Sequence, residues 1–98
     1  MSKPKKDAKN ITATQIWGLL EGQSFKCAMS GLPLEPETTS LDHKIPLARG
    51  GTHDIGNVWL VHQRINTAKG TLTTEEFVEM CREVVEHHAR TAGIKIAS

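Results

Sequence analysis

The sequence predicts a small α+β domain, and three observations lead to this fold class. The chain has 98 residues, which is room for a single domain. Apolar residues recur at helical spacing near both ends of the chain. Between these stretches, glycine and proline are too frequent for long helices and favour short extended pieces joined by turns. We therefore expect one domain in which helices flank a small central region.

The first half of the chain is predicted to contain one helix and one strand. Apolar spacing from Ile11 favours a helix that Thr12 or Thr14 can cap and that Gly22 ends. Pro46 cuts the expected strand. In chain order we expect a disordered basic arm (residues 1–10), this helix (11–22), turns (24–37), the strand (40–47) and a glycine-rich loop (48–56). The folded domain is expected to span residues 11–98.

The second half predicts two further helices. Val58, Val61 and Ile65 have helical spacing, which indicates a helix over residues 57–69 that Gly70 ends. The sequence from Thr73 then predicts a last helix.

This last helix has clear signals at both ends. Thr73 and Glu76 form a capping box at its start, and Gly93 follows its expected end near Ala92. An apolar stripe along it is expected to pack in the core, and it consists of Phe77, Met80, Cys81 and Val84, with His88 at its edge.

The net charge of +1 hides an uneven distribution. Residues 1–10 carry +3 and residues 38–70 carry +2, whereas residues 11–37 and 71–98 carry −2 each. The basic segments suit an anionic partner, with a solvated lysine tail as the alternative for the arm.

Hydropathy and cysteine content exclude two classes of protein. No apolar run approaches the ~20 residues that a membrane span needs, so we expect no membrane partner and a cytoplasmic location. Cys27 and Cys81 stand far apart in unlike contexts, which argues against a secreted disulfide scaffold.

The residues with the clearest chemical meaning begin at Asp42 and His43. In an extended segment their side chains point to opposite sides, so the two groups would do different work. A carboxylate can bind a hard divalent cation, and an imidazole can accept a proton from water. Asn57 follows at the end of the Gly-Gly-Thr loop and Asn66 nine residues later.

This pattern resembles the His-Asn-His (HNH) endonuclease motif of the ββα-metal fold, in the variant whose third letter is asparagine. The resemblance covers residues 40–73 and includes Leu41-Asp42-His43-Lys44-Ile45-Pro46-Leu47, Asn57-Val58-Trp59-Leu60 and Asn66-Thr67-Ala68-Lys69-Gly70. It implies a ββα-metal core with an N-terminal and a C-terminal helix.

The resemblance also implies a role for each motif residue. His43 corresponds to the general base that activates water, and Asn57 to the residue that ties the loop and orients this histidine. Asp42 and Asn66 correspond to the ligands of one divalent metal ion. With oxygen donors from both residues, Mg²⁺ or Mn²⁺ is expected before Zn²⁺.

The chain departs from the family at three positions where relatives have a metal-binding histidine or cysteine. Some relatives have a third metal-binding histidine where this chain has Gly70, and His62 stays open as a further ligand, a phosphate contact or a partly buried polar residue. A structural zinc knuckle is not expected because only Cys27 and His62 remain of its four ligands. Cys27 is then expected to be a buried thiol, and packing of Trp17, Phe25, Trp59 and the last helix is expected to provide stability.

The implied function is metal-dependent hydrolysis of DNA phosphodiester bonds, by nicking or cutting. Four cations are candidates for phosphate contacts, with a solvated surface position as the alternative for each: Lys44, Arg49, Arg64 and Lys69. His53, His87 and His88 are expected to be surface or core-edge residues.

The alternative function is a non-catalytic nucleic-acid-binding module on the same scaffold. DNA is the expected partner, and so small a surface is compatible with a protein partner that supplies specificity. Oligomeric state and a phage or mobile-element role stay open.

Overall fold

The structure is a computed structural model that describes residues 10–93, so the expected basic arm lies outside the described residues except for Asn10. The helices are α1 (Ala13–Gly22), α2 (Gln63–Lys69) and α3 (Thr74–Ala92), and the strands are β1 (Thr39–His43) and β2 (Val58–His62). Two single 3₁₀ turns, Leu47–Arg49 and Ile55–Asn57, lie in the connection between the strands. The predicted α+β class is confirmed.

The centre of the molecule is an antiparallel hairpin of β1 and β2. Asp42 pairs with Trp59 and His43 pairs with Val58 in its register. α2 follows β2 without a loop and packs on the hairpin, which completes a ββα unit. Within residues 10–93 the buried apolar side chains are few, and three of the five belong to β2: Cys27, Val58, Leu60, Val61 and Phe77.

The predicted helix over residues 57–69 is wrong in its first half. Val58–His62 is a strand, and only Gln63–Lys69 is helical. A short apolar run such as Val58-Trp59-Leu60-Val61 fits a buried strand as well as a helix, and its β-branched and aromatic residues favour the strand. Pairing with β1 satisfies its backbone and decides between the two.

The expected strand over residues 40–47 is shorter in the structure. β1 ends at His43, and the chain turns through Leu47–Arg49 into the glycine pair. Gly50 adopts φ +89°, and a Cβ on Gly51 would lie 1.7 Å from the Ile45 carbonyl oxygen. Both positions therefore require glycine, which keeps the loop tight against the end of β1.

The predicted first helix is confirmed, and Thr12 caps it in a capping box with Gln15. The Gln23 side chain then bonds both backbone groups of Leu60, which fastens the end of α1 to β2. Trp17 and Phe25 contact each other edge to face but are 55% and 44% exposed, so the expected contribution of their packing to the core is small.

The bounds and caps of the last helix are also confirmed. Thr73 and Glu76 form the capping box of α3, and Gly93 closes it with φ +72°. The expected core packing of its stripe is wrong beyond Phe77, because Met80, Cys81, Val84 and His88 are exposed. Helical periodicity identifies an apolar face, but it does not identify the surface that covers this face. Within residues 10–93, no helix combines the length and apolar character needed to cross a bilayer.

Candidate active site on the ββα core

Asp42 lies on the face of β1 that α2 covers, and its carboxylate is only 2% exposed. The Trp59 indole donates a hydrogen bond to Oδ2 over 2.8 Å, which follows from the direct pairing of these residues in the hairpin. Lys69 Nζ lies 3.1 Å from Oδ1. Both carboxylate oxygens therefore have a partner.

Lys69 is the buried cation of this site. Its side chain is 1% exposed, and its ammonium also donates to the His43 carbonyl over 2.9 Å. The expected phosphate contact of Lys69 is wrong, because the ammonium points into the hairpin. A single lysine thus joins the end of α2 to the two adjacent motif residues of β1.

His43 points to the opposite side of β1 and is half-buried. Its Nε2 lies 2.8 Å from Nδ1 of His53, which belongs to the loop before β2. Burial lowers the pKa of His43 below its ordinary value of 6.5, His53 and Lys69 lower it further, and Asp42 opposes the shift. The imidazole is therefore neutral at neutral pH and has the lone pair that a base requires.

Asn57 ties the connection between the strands. Its amide nitrogen donates to the carbonyls of Ile45 and Thr52 over 3.0 and 2.8 Å, and its oxygen accepts from the Ile45 amide over 3.0 Å. The Asn57 carbonyl also accepts from the Lys44 amide. This network fixes the segment that leaves His43 against the segment that enters β2.

Asn66 projects from α2 toward β1. Its amide nitrogen donates to Ser40 Oγ over 2.7 Å and to the Leu41 carbonyl over 3.3 Å. The side chain therefore lies on the same face of β1 as Asp42, one turn of α2 before Lys69.

The remaining candidate cations have different surroundings. Lys44 places its ammonium 4.9 Å from the centre of the Trp59 ring system, and Arg64 is exposed at the start of α2. Arg49 pairs with Glu76 of α3, and this contact raises the pKa of Arg49 and lowers that of Glu76 to about 2. Arg49 therefore has an acidic partner that a phosphate would have to displace.

His62 lies outside α2 and so does not share a helical face with Asn66, although the expected helix over residues 57–69 would have placed both on one helix. It ends β2 and caps α2, where its Nδ1 accepts from the Arg64 amide over 3.1 Å. Its own amide donates to Cys27 Sγ, as does the Ser30 amide. Burial raises the pKa of Cys27, but these hydrogen bonds outweigh it, and the net shift is downward. The expectation that Cys27 is buried is confirmed.

The donor chemistry of the site fits a hard divalent cation. Asp42 and Asn66 offer a carboxylate and an amide oxygen from facing elements, which are groups that Mg²⁺ and Mn²⁺ prefer. Within residues 10–93, no three His, Cys, Asp or Glu side chains converge as a metal cluster, so other oxygen donors would complete the shell. A cation at Asp42 would also compete with Lys69 for this carboxylate.

His53 is the site residue that the sequence did not reveal. It lies ten residues after His43 in an irregular loop, where neither strand nor helix periodicity applies. Its only local signal is its position after the Gly50-Gly51-Thr52 turn, which returns the chain to the end of β1.

An antiparallel hairpin followed at once by a helix, with His43 on the first strand and Asn66 on the helix, defines a ββα-metal domain. The family model described as HNH endonuclease matches residues 27–72, just under half of the chain. The matched family is the one that the motif predicted, and the match suggests a nuclease or other nucleic-acid-related function that acts on DNA. No curated protein matches the chain.

Proposed function

We propose that this protein is a metal-dependent HNH endonuclease that hydrolyses DNA phosphodiester bonds, with His43 as the general base. The observation that supports this most directly is the placement of His43. Its imidazole has a lowered pKa and lies at the end of β1, beside Asp42 and across the hairpin from the helix that carries Asn66. A neutral imidazole in this position can take the proton of an attacking water.

The contact with His53 supports Nδ1 of His43 as the accepting atom. If His43 Nε2 donates to His53, the lone pair of His43 Nδ1 is free to accept a proton. If His53 donates instead, Nε2 is the engaged acceptor and Nδ1 carries the proton. Catalysis therefore requires the first tautomer, and we assign His53 as the residue that positions and polarises the base.

Asp42 and Asn66 are the proposed ligands of one Mg²⁺ or Mn²⁺ ion. When bound, such an ion supplies stabilisation of the charge that develops on the phosphate and the leaving oxygen. In the structure Lys69 forms an ion pair with the Asp42 carboxylate, so a bound ion would share this carboxylate with Lys69. Asn57 holds the loop so that His43 and His53 keep their relative position.

Lys44 and Arg64 are the cations proposed to contact the DNA backbone. Neither has an acidic partner among the described contacts. Arg49 pairs with Glu76 and would contact the DNA backbone only after this ion pair breaks. Contacts of this kind position a duplex without reading its sequence. Selectivity for a particular site would then come from DNA shape or a partner protein.

Conversion of supercoiled plasmid by the full chain tests the proposal. Open circles or linear DNA should form with Mg²⁺ or Mn²⁺, and EDTA should suppress them. Activity with Zn²⁺ but with neither of the other ions would contradict the proposed ion.

The second candidate function is a non-catalytic nucleic-acid-binding module. The observation that favours it is the engagement of both Asp42 oxygens by Trp59 and Lys69. DNA binding by the full chain without nicking at any of the three ions would establish this alternative.

A further inference from the structure

The helix α3 leaves most of its length without a covering surface. Its first turn is anchored, since the Thr74 amide donates to the Lys44 carbonyl, Glu76 pairs with Arg49, and Phe77 is buried. From Val78 to Ala92 no residue is buried. About four turns of helix therefore project beyond the ββα core.

The projecting part has its own sources of helical stability. The capping box and Gly93 satisfy the backbone groups at the two ends of α3. Arg82 forms ion pairs with Glu79 and Glu86, one turn before it and one turn after it. This segment is thus a defined helix and not a frayed end.

One side of this helix carries a regular exposed stripe of mainly apolar residues, which differs from the stripe predicted from the sequence. The stripe follows alternating steps of three and four residues, which is the seam of a two-stranded coiled coil: Val78, Cys81, Val85, His88 and Ala92. Val78 and Val85 are 54% and 51% exposed. Val78 and Val85 lie two turns apart with Cys81 between them, and exposed apolar residues that repeat along one face of an unpacked helix indicate a missing partner.

The charges of α3 indicate the orientation of this partner. Residues 74–86 contain five glutamates and one arginine, whereas residues 87–92 contain two histidines, one arginine and no acidic residue. Two parallel copies would place the glutamates side by side. Two antiparallel copies would place residues 74–79 of each helix, which contain three of the five glutamates, beside residues 87–92 of the other.

We propose that the exposed stripe of α3 binds the same stripe of a second copy of this chain, in antiparallel orientation. In this register Cys81 lies opposite Val85 of the second copy, and Val78 lies opposite His88 of the second copy. The dimer would hold two ββα sites. The inference rests on the exposure and charge of α3 alone, so it stands independently of nuclease activity.

Sedimentation equilibrium of the full chain over a range of concentrations tests the association. The wild type should reach twice its 10.8 kDa monomer mass, and Val85→Glu should remain a monomer because it places a charge in the seam. The matched control is Met80→Glu, which adds the same charge outside the exposed stripe of Val78, Cys81 and Val85 and should leave the dimer intact. A monomeric wild type at every concentration, or equal loss in both variants, would overturn the proposal.

Mild oxidation tests the antiparallel register. Val85→Cys should form a covalent dimer because the new thiol faces Cys81 of the second copy, while the wild type should not, since its two Cys81 side chains are offset along the axis. Cys27 is buried and stays outside this reaction. A covalent wild-type dimer through Cys81 would contradict the antiparallel arrangement.

Discussion

Asp42 and His43 are adjacent in the chain, yet they occupy opposite environments. Asp42 is buried between β1 and α2, where it forms an ion pair with Lys69. His43 faces the loop and contacts His53. The alternation of side chains along a strand produces this separation. At the residue scale the site therefore consists of a buried ion pair next to a neutral imidazole.

Replacement of Lys69 by methionine should destabilise the fold. It leaves the Asp42 carboxylate buried with only the Trp59 hydrogen bond, and removal of one partner of a buried ion pair costs about 3–5 kcal/mol. Urea unfolding measures this loss. Lys44→Met is the matched control and should change stability far less.

Asp42→Asn combined with Lys69→Met should recover much of the lost stability, because no uncompensated charge remains. A Lys69→Met variant as stable as the wild type would show that the pair is not maintained in solution.

The pH dependence of nicking should follow His43. Because its pKa lies below 6.5, activity should be lost only as the pH falls below that value and the base becomes protonated. The folded state also binds this proton less readily than the unfolded chain, so the group lowers stability as the pH falls through the same window.

His53→Ala should move the acid limb of the profile to higher pH, because His53 contributes to lowering the pKa of His43. ¹⁵N chemical shifts of the His43 ring in the metal-free protein provide an independent measurement. They should report a proton on Nε2 in the wild type, and a proton on Nδ1 would contradict the assigned tautomer.

At the scale of elements, the loop between β1 and β2 sets the geometry of the site. Asn57 bonds both sides of this loop, and Gly51 lets the backbone pass close to Ile45. Any distortion here displaces His53 relative to His43, since the two rings contact each other across the loop.

Gly51→Ala should therefore destabilise the protein by about 3 kcal/mol, because its Cβ would lie 1.7 Å from a backbone oxygen that cannot move freely. Gly18→Ala in α1 is the control, as nothing lies within 4 Å of its Cβ position. It should stabilise the helix by about 1 kcal/mol. Thermal unfolding compares the two, and similar effects from both would refute this description of the loop.

Local signals predicted the elements whose ends are marked in the sequence. Thr12, the capping box at Thr73 and Gly93 define α1 and α3 because capping is a short-range interaction. The strand β2 was not predicted from periodicity, since its pairing with β1 is a contact between distant residues. The motif supplied the ββα order that periodicity could not.

The same distinction applies to the site. The motif predicted Asp42, His43, Asn57 and Asn66 as site residues, and in the structure two of them end β1, Asn57 lies in the loop before β2 and Asn66 lies on α2. The inward direction of Lys69 and the approach of His53 depend on how α2 and the loop pack. Neither has a local sequence signal, so both required the structure.

At the scale of the whole molecule, a very small core supports the site. Few apolar side chains are buried in the part of the chain that the structure describes, and the Asp42 and Lys69 pair joins β1 to α2 within the same interior. The HNH match spans residues 27–72, while α1 lies before it and α3 after it. We assign the ββα core to DNA chemistry and the projecting part of α3 to association of two copies.

The single-turnover nicking rate of His43→Ala tests the central claim most directly. Loss of a general base should lower this rate by about 10²–10⁴-fold while leaving DNA binding and the thermal unfolding transition close to those of the wild type. His87→Ala, an exposed histidine of α3, should nick at the wild-type rate. A His43→Ala protein that nicks as fast as the wild type would contradict the role of His43 as the general base.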